Sequence, residues 1–433
     1  MKTVSVGLLG LGTVGSGVIH IIENHQKELQ HQLGVRVEVA KVLVRDIDKK
    51  RNVHISKEKL TTSAEDILFH PEIDVVIEVI GGIEEARNYI LTALKNKKHV
   101  VTANKDLMAL HGAELLKTAS ENGCDLFYEA SVAGGIPIIR SLVDGLASDK
   151  ITKMMGIVNG TTNYILTKMT QEGSSYEEVL KEAQQLGYAE SDPTSDVEGL
   201  DAARKMAILA TLGFSMNIDI NDVSVKGITK VTKEDLDFCK RLGYTIKLIG
   251  IADRKEGRVE VSVEPTLLPN EHPLASVSDV YNAVYVYGEA VGETMFYGPG
   301  AGSLPTATAV VSDLVTVVKN MRLGVSGRSI IPPMYEKQLK SEEEIQSQYF
   351  FRLRVKDKTG SFSAITSLFA SHDVSFEKLL QLPMKGTGLA EVIIITHKTS
   401  KKTYKEICDK LEKLDVVEQV SSSYRVEGGN GYE

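Results

Sequence analysis

The sequence predicts an α/β protein in three parts: an N-terminal doubly wound domain, a central α+β domain and a C-terminal βαββαβ unit. Three observations predict it. Short β-branched runs alternate with helical segments through residues 1–130, the pattern of a parallel sheet covered by helices. From about Ser131 that alternation gives way to longer helices followed by strand-like runs. Beyond Ile331-Pro332-Pro333 and the charged residues 336–348, six short periodic segments return in the order strand, helix, strand, strand, helix, strand.

In the first part the candidate strands are residues 4–9, 35–44, 75–80, 99–102 and 125–128. Ser63 precedes Glu65-Asp66 in an N-cap-like pattern, and residues 84–96 place Ala86, Ile90, Ala93 and Leu94 on one helical face. The middle part has candidate helices at 176–186 and 200–212, strands at 245–251, 259–263 and 283–286, and a helix at 313–321. Adjacent prolines stop regular structure, so 331–348 is expected to be a linker. The last unit reads as strand 349–355, helix 362–370, strands 374–381 and 390–396, helix 404–413 and strand 416–424. The expected domains are therefore 1–130, with a returning helix near 305–325, then 131–330, and 349–426 as an appended regulatory or interface module.

The chain has 433 residues, is 42% apolar and has a formal charge of -8 with both signs interspersed. That leaves no basic stripe for nucleic acid or a membrane surface, while a small anionic or zwitterionic substrate stays compatible. No apolar run approaches the roughly 18 residues of a membrane span, and Lys2-Thr3-Val4-Ser5-Val6 runs into a glycine loop without a secretory signal. A cytoplasmic location is expected. Cys124, Cys239 and Cys408 are odd in number and widely spaced, which fits buried thiols in a reducing compartment.

The chemistry begins at Gly10-Leu11-Gly12-Thr13-Val14-Gly15, which follows a strand and opens a helix. Glycines there permit a tight turn and a close approach of backbone amides to a pyrophosphate, so the segment predicts a Rossmann-type dinucleotide site. The second strand ends in Arg45-Asp46, with Lys49, Lys50 and Arg51 behind. Arg45 and the basic cluster favour the 2′-phosphate of NADP, Asp46 suits the ribose hydroxyl of NAD, and a solvated charged turn is the plainer reading. Gly81-Gly82 and Thr102-Ala103-Asn104-Lys105 stand at strand ends, where open α/β sheets bind ligands. Lys105 is either a functional ammonium group or an ordinary surface lysine.

Residues 187–205 hold Gly187, Glu190, Asp192, Asp196, Glu198, Asp201 and Lys205 in a turn-rich loop that runs into a helix. Asp201 and Lys205, four apart, share a helical face. Three readings stand beside one another: a surface ion pair, a metal loop whose spacing does not fit an EF-hand, and a substrate site with carboxylates for an ammonium group and a lysine for proton transfer.

Asn159-Gly160-Thr161-Thr162-Asn163-Tyr164, the acidic segment, Thr102-Ala103-Asn104-Lys105 and Gly298-Pro299-Gly300-Ala301-Gly302 together resemble the homoserine dehydrogenase family. His272-Pro273-Leu274-Ala275 and Asn282-Ala283-Val284 add to the likeness. The resemblance implies reversible NAD(P)-linked interconversion of L-homoserine and L-aspartate 4-semialdehyde. It assigns Lys205 and Lys105 to proton transfer and substrate binding, with Lys105 also beside the cofactor. Glu190 and Asp201 become substrate carboxylates, with Asp196, Thr161 and Gly187 around the substrate and Gly302 beside the cofactor. Glu129-Ala130-Ser131-Val132-Ala133-Gly134-Gly135-Ile136 is similar to the family's monovalent-cation loop. It implies sodium or potassium held by the Glu129 side chain and the carbonyls of Val132, Gly134 and Ile136. The central domain becomes a catalytic and dimerisation domain, in a homodimer or homotetramer.

The last unit resembles an ACT domain, which implies feedback inhibition by L-threonine; a purely oligomerising module is the alternative. Thr359 replaces the proline of that family's Asp-x-Pro-Gly turn. Two rival functions remain: a phosphorylating semialdehyde dehydrogenase, which needs a cysteine nucleophile, and a non-enzymatic amino-acid sensor, which has no use for the lysines and carboxylates. The glycine loop starts at Gly10, so no fused kinase is expected before it.

Overall fold

The strand and helix alternation of the first part closes into a parallel sheet of β1 (Thr3–Leu9), β2 (Arg36–Leu43), β3 (Leu60–Thr61), β4 (Val75–Glu78), β5 (His99–Thr102) and β6 (Leu126–Phe127), in the order β3-β2-β1-β4-β5-β6. The computed structural model describes residues 3–51, 53–328 and 332–428, so Lys2 of the N-terminal run and Ile331 of the proline boundary lie outside it. Two compact units emerge. The first takes the described residues of Met1–Thr152, Arg204–Asp222 and Asn282–Lys337, the second those of Lys153–Ala203, Val223–Tyr281 and Gln338–Glu433.

In the first unit β4 and β5 are buried at every position, as expected of strands covered on both faces. The order of strands reverses between β1 and β4, and loops at that switch point form the crevice of a doubly wound sheet. Helix Thr13–Asn24 buries Val18, Ile19 and Ile22 in the core, and helix Ser303–Leu323 adds Ala307, Val310, Val311, Leu314, Val317 and Val318 to it. The latter helix covers the stretch near 305–325 given for a returning helix and begins ten residues before the narrower reading of 313–321. Pro305 lies in its first turn, where a missing amide donor leaves no bond unmade, so the proline does not stop the helix. Among the elements not anticipated, β3 is only two residues long, and helix Gln26–Leu33 has almost no apolar face to betray it. Ser63 also fails as a cap, because helix Glu65–Leu68 is preceded by Ala64 and has no side-chain cap.

The two long helices meet at Gly17. A Cβ there would lie 2.6 Å from the Ser303 carbonyl oxygen and 2.8 Å from Ala307 Cβ. Ser303 Oγ donates to the Thr13 carbonyl at 2.7 Å, so the start of the late helix is fastened directly to the glycine loop.

The second unit is built on a mixed sheet. Within it Ile151–Ile157 pairs antiparallel with Tyr244–Lys255, which pairs antiparallel with Arg258–Pro269. The C-terminal elements are the expected strand, helix, strand, strand, helix, strand: Gln346–Lys356, Ser361–Ala370, Phe376–Met384, Leu389–Thr396, Lys401–Leu411 and Val417–Val426, with a two-residue strand Thr399–Ser400 between. Their own core gathers Phe351, Leu353, Ile365, Phe369, Ile394 and Ile407. They are not held at arm's length by a linker, because Val417–Val426 pairs in parallel with Arg258–Pro269 at Thr266 and Leu267. Arg425, 4% exposed, binds Glu260 at 2.8 Å and Glu427 at 2.7 Å, while Glu427 also meets Lys153 at 2.6 Å. Burial alone would raise the Glu427 carboxyl; Arg425 and Lys153 instead hold it down to about 2.

Among the described residues no helix is long and apolar enough to cross a membrane. Gly17→Val should destabilise the first unit by about 1–3 kcal/mol, since the Ser303 carbonyl is backbone and cannot step aside. Thermal unfolding followed by circular dichroism measures this, and an unchanged melting temperature would rule out the close helix contact.

Candidate active site

The three glycines of the N-terminal loop do different jobs. Gly10 has φ +104°, and a Cβ on it would lie 2.8 Å from the Val79 carbonyl oxygen. A Cβ on Gly15 would lie 2.2 Å from the Gly10 carbonyl oxygen. Gly12 is different, with nothing within 4 Å of where its Cβ would stand. The fold itself therefore demands the first and third glycines, while the second keeps open space in front of the helix. Gly12 is also the N-cap of Thr13–Asn24 and offers no capping side chain. The first amides of that helix face outward with the positive end of its dipole, which suits a pyrophosphate. Leu11, Thr13 and Val14 complete the turn. Arg45, Lys49 and Lys50 are exposed beyond β2, where Asp46 Oδ1 accepts the Asp48 amide at 2.8 Å and Arg51 donates to the Lys49 carbonyl at 2.8 Å.

From Val14 a crevice of about 330 Å³ extends along the first unit, past Gly81, Lys105 and Lys205 to Gly300 and Ala301. Lys105 opens helix Lys105–Glu121, whose N-cap Asn104 accepts the Leu107 amide at 3.1 Å. Lys205 sits on helix Leu200–Phe214 and is 9% exposed. Their neighbours in sequence join the two helices: Arg204 Nε lies 2.9 Å from Asp106 Oδ1. That ion pair holds both lysine-bearing helices at one crevice. Gly302, at φ +126°, precedes helix Ser303–Leu323 and follows the crevice residues Gly300 and Ala301.

Glu78, which sequence reasoning missed, also contributes to the crevice wall although it is fully buried. Its Oε1 accepts the Ile80 amide at 2.9 Å and the Gly81 amide at 3.3 Å, and its Oε2 accepts Thr102 Oγ1 at 2.6 Å. Thr102 Oγ1 in turn accepts the Asn104 amide at 3.0 Å, and Asn104 Nδ2 donates to the Gly82 carbonyl at 2.7 Å. One carboxylate thus organises both the Gly81-Gly82 turn and the start of the Lys105 helix. The available signal was a lone acid ending an otherwise apolar strand.

Ala130, Ser131, Ala133 and Gly134 form another part of the wall. Glu129 is 3% exposed, and its two oxygens accept the Ile139 and Arg140 amides at 2.7 and 2.8 Å. Burial pushes its carboxyl up from the ordinary range, with those amides acting against the rise. Ala133 and Gly134 are both left-handed at φ +54°, and a Cβ on Gly134 would lie 2.3 Å from the Gly300 carbonyl oxygen. The Ile136 carbonyl accepts the Ile138 amide at 2.8 Å, while Val132 is buried. Among the described residues no group of three or more His, Cys, Asp or Glu side chains is arranged to hold a metal. One buried carboxylate on a turn of carbonyls is nonetheless the type of oxygen set that suits a hard monovalent ion. The turn is anchored from behind by Asp313, which accepts the Glu129 amide at 2.8 Å and pairs with Arg140 at 2.9 Å.

The second unit assembles the acidic segment around Asn159. This residue caps helix Gly160–Glu172, and its Nδ2 donates to Asp196 at 2.7 Å and Asp201 at 2.8 Å. A neutral amide therefore keeps two carboxylates near each other. Thr161 Oγ1 donates to the Tyr188 carbonyl at 2.6 Å, which fixes the turn after Gly187, a left-handed residue at φ +77°. Glu190 is exposed, with its carbonyl held by Gln184 Nε2 at 3.0 Å. Asn163 explains the end of its motif by donating to the carbonyls of Asp279 and Tyr281 at 3.0 and 3.1 Å.

None of the cysteines lines the crevice. Cys124 and Cys239 are buried as expected, but Cys408 is half-buried. Burial pushes the Cys124 thiol up to about 11, the reverse of what an activated nucleophile needs.

The family model for the homoserine dehydrogenase NAD-binding domain matches residues 10–129, and the homoserine dehydrogenase model matches residues 137–315. The homoserine dehydrogenase of Bacillus subtilis strain 168 is 65% identical over 433 residues, covering 100% of both chains. A crystal structure of a homoserine dehydrogenase from Thiobacillus denitrificans superposes with a TM-score of 0.92 at 39% identity, covering 99% of each chain. A hyperthermophilic archaeal homoserine dehydrogenase solved in complex with NADPH is 26% identical, with a TM-score of 0.62 over 74% of this chain and 98% of that one. With the glycine loop and both lysines along one crevice, the chain belongs to the homoserine dehydrogenase family, NAD(P)-dependent oxidoreductases acting on a CH–OH group.

Proposed function

We propose that the chain interconverts L-homoserine and L-aspartate 4-semialdehyde reversibly, in the branch of metabolism leading to threonine and methionine. The observation that carries this reading is the meeting of Lys105 and Lys205 in a crevice that starts at the glycine loop. A bound nicotinamide supplies or accepts the hydride. In the reducing direction Lys205 gives its proton to the aldehyde oxygen as the alcohol forms, either directly or through a water that it holds. Lys105 stabilises the developing negative charge on that oxygen. Asp201, one turn before Lys205 on the same helix, and Glu190 orient the substrate through its ammonium or hydroxyl group, supported by Asp196, Thr161 and Gly187. Gly10, Leu11, Gly12, Thr13, Val14, Gly15 and Gly302 hold the dinucleotide.

NADP is the favoured cofactor, with NAD as the alternative. Exposed Arg45 supports a 2′-phosphate partner, and a related archaeal enzyme was solved with NADPH. Sodium or potassium would be held by Glu129 and the carbonyls of Val132, Gly134 and Ile136, stiffening the crevice wall. Residues 1–130 with the helix near 305–325 serve as the cofactor domain, 131–330 as the catalytic and dimerisation domain, and 331–348 as a connection. Residues 349–426 serve as an ACT domain binding L-threonine, supported by their element order. The enzyme works in the cytoplasm as a homodimer or homotetramer, without nucleic-acid or membrane partners.

The direct test is homoserine oxidation with each cofactor, with and without threonine. Turnover with neither cofactor would refute the reading, and indifference to threonine would remove it as an effector. Lys205→Ala should lower kcat by about 10²–10⁴-fold while the protein still folds; near-normal turnover would take Lys205 out of the mechanism. Gly12→Ala should leave the melting temperature within a degree or so of the parent yet weaken cofactor binding by about tenfold or more, because its methyl enters open space reserved for phosphate. The cation reading expects sodium or potassium chloride to raise activity over tetramethylammonium chloride, and Glu129→Gln to abolish the difference. Equal activity in all three salts would dismiss it.

A further inference from the structure

The geometry points to Glu78 as the residue that makes the crevice favour the oxidised nicotinamide cofactor over the reduced one. This rests on the proposed placement of the nicotinamide in the crevice of the lysines. The two redox forms differ chiefly at the ring, which is cationic when oxidised and neutral when reduced. A fixed charge beside the crevice therefore discriminates between them, whereas shape and phosphate contacts treat them alike.

The charged groups of this crevice are few. Lys105 and Lys205 bring positive charge that by itself disfavours a cationic ring. Asp106 is engaged by Arg204 at 2.9 Å. Glu78 is the other acid of the wall, and the donors on its oxygens are neutral: the Ile80 and Gly81 amides and the Thr102 hydroxyl. Neutral donors satisfy its lone pairs without cancelling its charge. Burial pushes the Glu78 carboxyl up from the ordinary range, while the donors at both its oxygens act against that rise, since a protonated acid gives up accepting capacity that this setting uses. Full burial removes the water that would screen the charge, so its field reaches into the crevice. Glu78 thus has two roles: it positions Gly81 and the Lys105 helix, and it offsets the lysine charge in the presence of an oxidised ring.

The test is a pair of dissociation constants, for NADP+ and NADPH, measured by calorimetry on the full chain and on Glu78→Gln. Removing the charge should shift the ratio of the two constants toward the reduced form by about tenfold, the scale of one charge interaction in a partly buried site. A purely positioning role would weaken both forms alike and leave the ratio within twofold, and that result overturns the inference. If Glu78→Gln does not fold, Glu78→Asp and Glu78→Asn, of equal size and different charge, make the same comparison. Failure of the parent protein to bind either form would instead refute the cofactor site itself, so the two failures are distinguishable.

Discussion

The close packing of helix Ser303–Leu323 on helix Thr13–Asn24 is the constraint on which the crevice depends. Gly17 permits it, because any side chain would run into the Ser303 backbone. Once the late helix is seated, Ser303 bonds to the Thr13 carbonyl and sets the glycine loop at one end. Three turns on, Asp313 takes the Glu129 amide and Arg140, and so sets the opposite wall. The backbone just before the helix, at Gly300, presses on Gly134 closely enough to exclude a Cβ there. One rigid element thereby fixes cofactor loop and wall together, which is how a site on loops acquires the small positional tolerance that catalysis requires.

Around that frame the functional groups are held by buried and half-buried polar side chains that do no chemistry themselves. Glu78 ties two loop starts together, the Asp106 and Arg204 pair joins the lysine helices, and Asn159 bridges Asp196 and Asp201 through one amide. Each replaces water as the partner of a group that folding has dehydrated. Leaving any of them unmatched would cost the desolvation of a buried polar group, roughly 1–3 kcal/mol and more for a charge. The same logic seats the C-terminal elements. Arg425 is buried against Glu260 and Glu427, and the energy lost by breaking such a set far exceeds what the set contributes net.

Much of the fold was legible because its signals are local. The β-branched runs of β1, β4 and β5 and the periodic apolar face of Glu84–Lys95 carry their own periodicity, and the six C-terminal elements appear in the expected order. Illegible elements lacked such a signal. Helix Gln26–Leu33 buries only Leu33, and β3 is two residues long. Of the candidate site, the glycine loop and the lysines were readable as motifs. Glu78, Asp313 and Arg140 were not, since a single buried acid or arginine in an apolar context resembles any other until its partners are seen.

The sequence by itself determined the class of ligand and the kind of chemistry. The loop from Gly10 to Gly15 marks dinucleotide binding through a left-handed turn at Gly10 and a close approach at Gly15 that exclude a side chain, and the residues from Gly187 to Lys205 gather the carboxylates and the lysine that we propose for a polar substrate. Tertiary structure decided which of those residues meet. Lys105 and Lys205 are separated by a hundred positions, and no periodicity relates them; the Asp106 and Arg204 ion pair does. It also distinguished the three glycines, one required by contact with the distant Val79 backbone, one by contact with the Gly10 carbonyl of its own loop, and one with open space before it. The physical reason is range: propensity and backbone strain act over a few residues, whereas burial, charge pairing and excluded volume act between whatever the fold brings into contact.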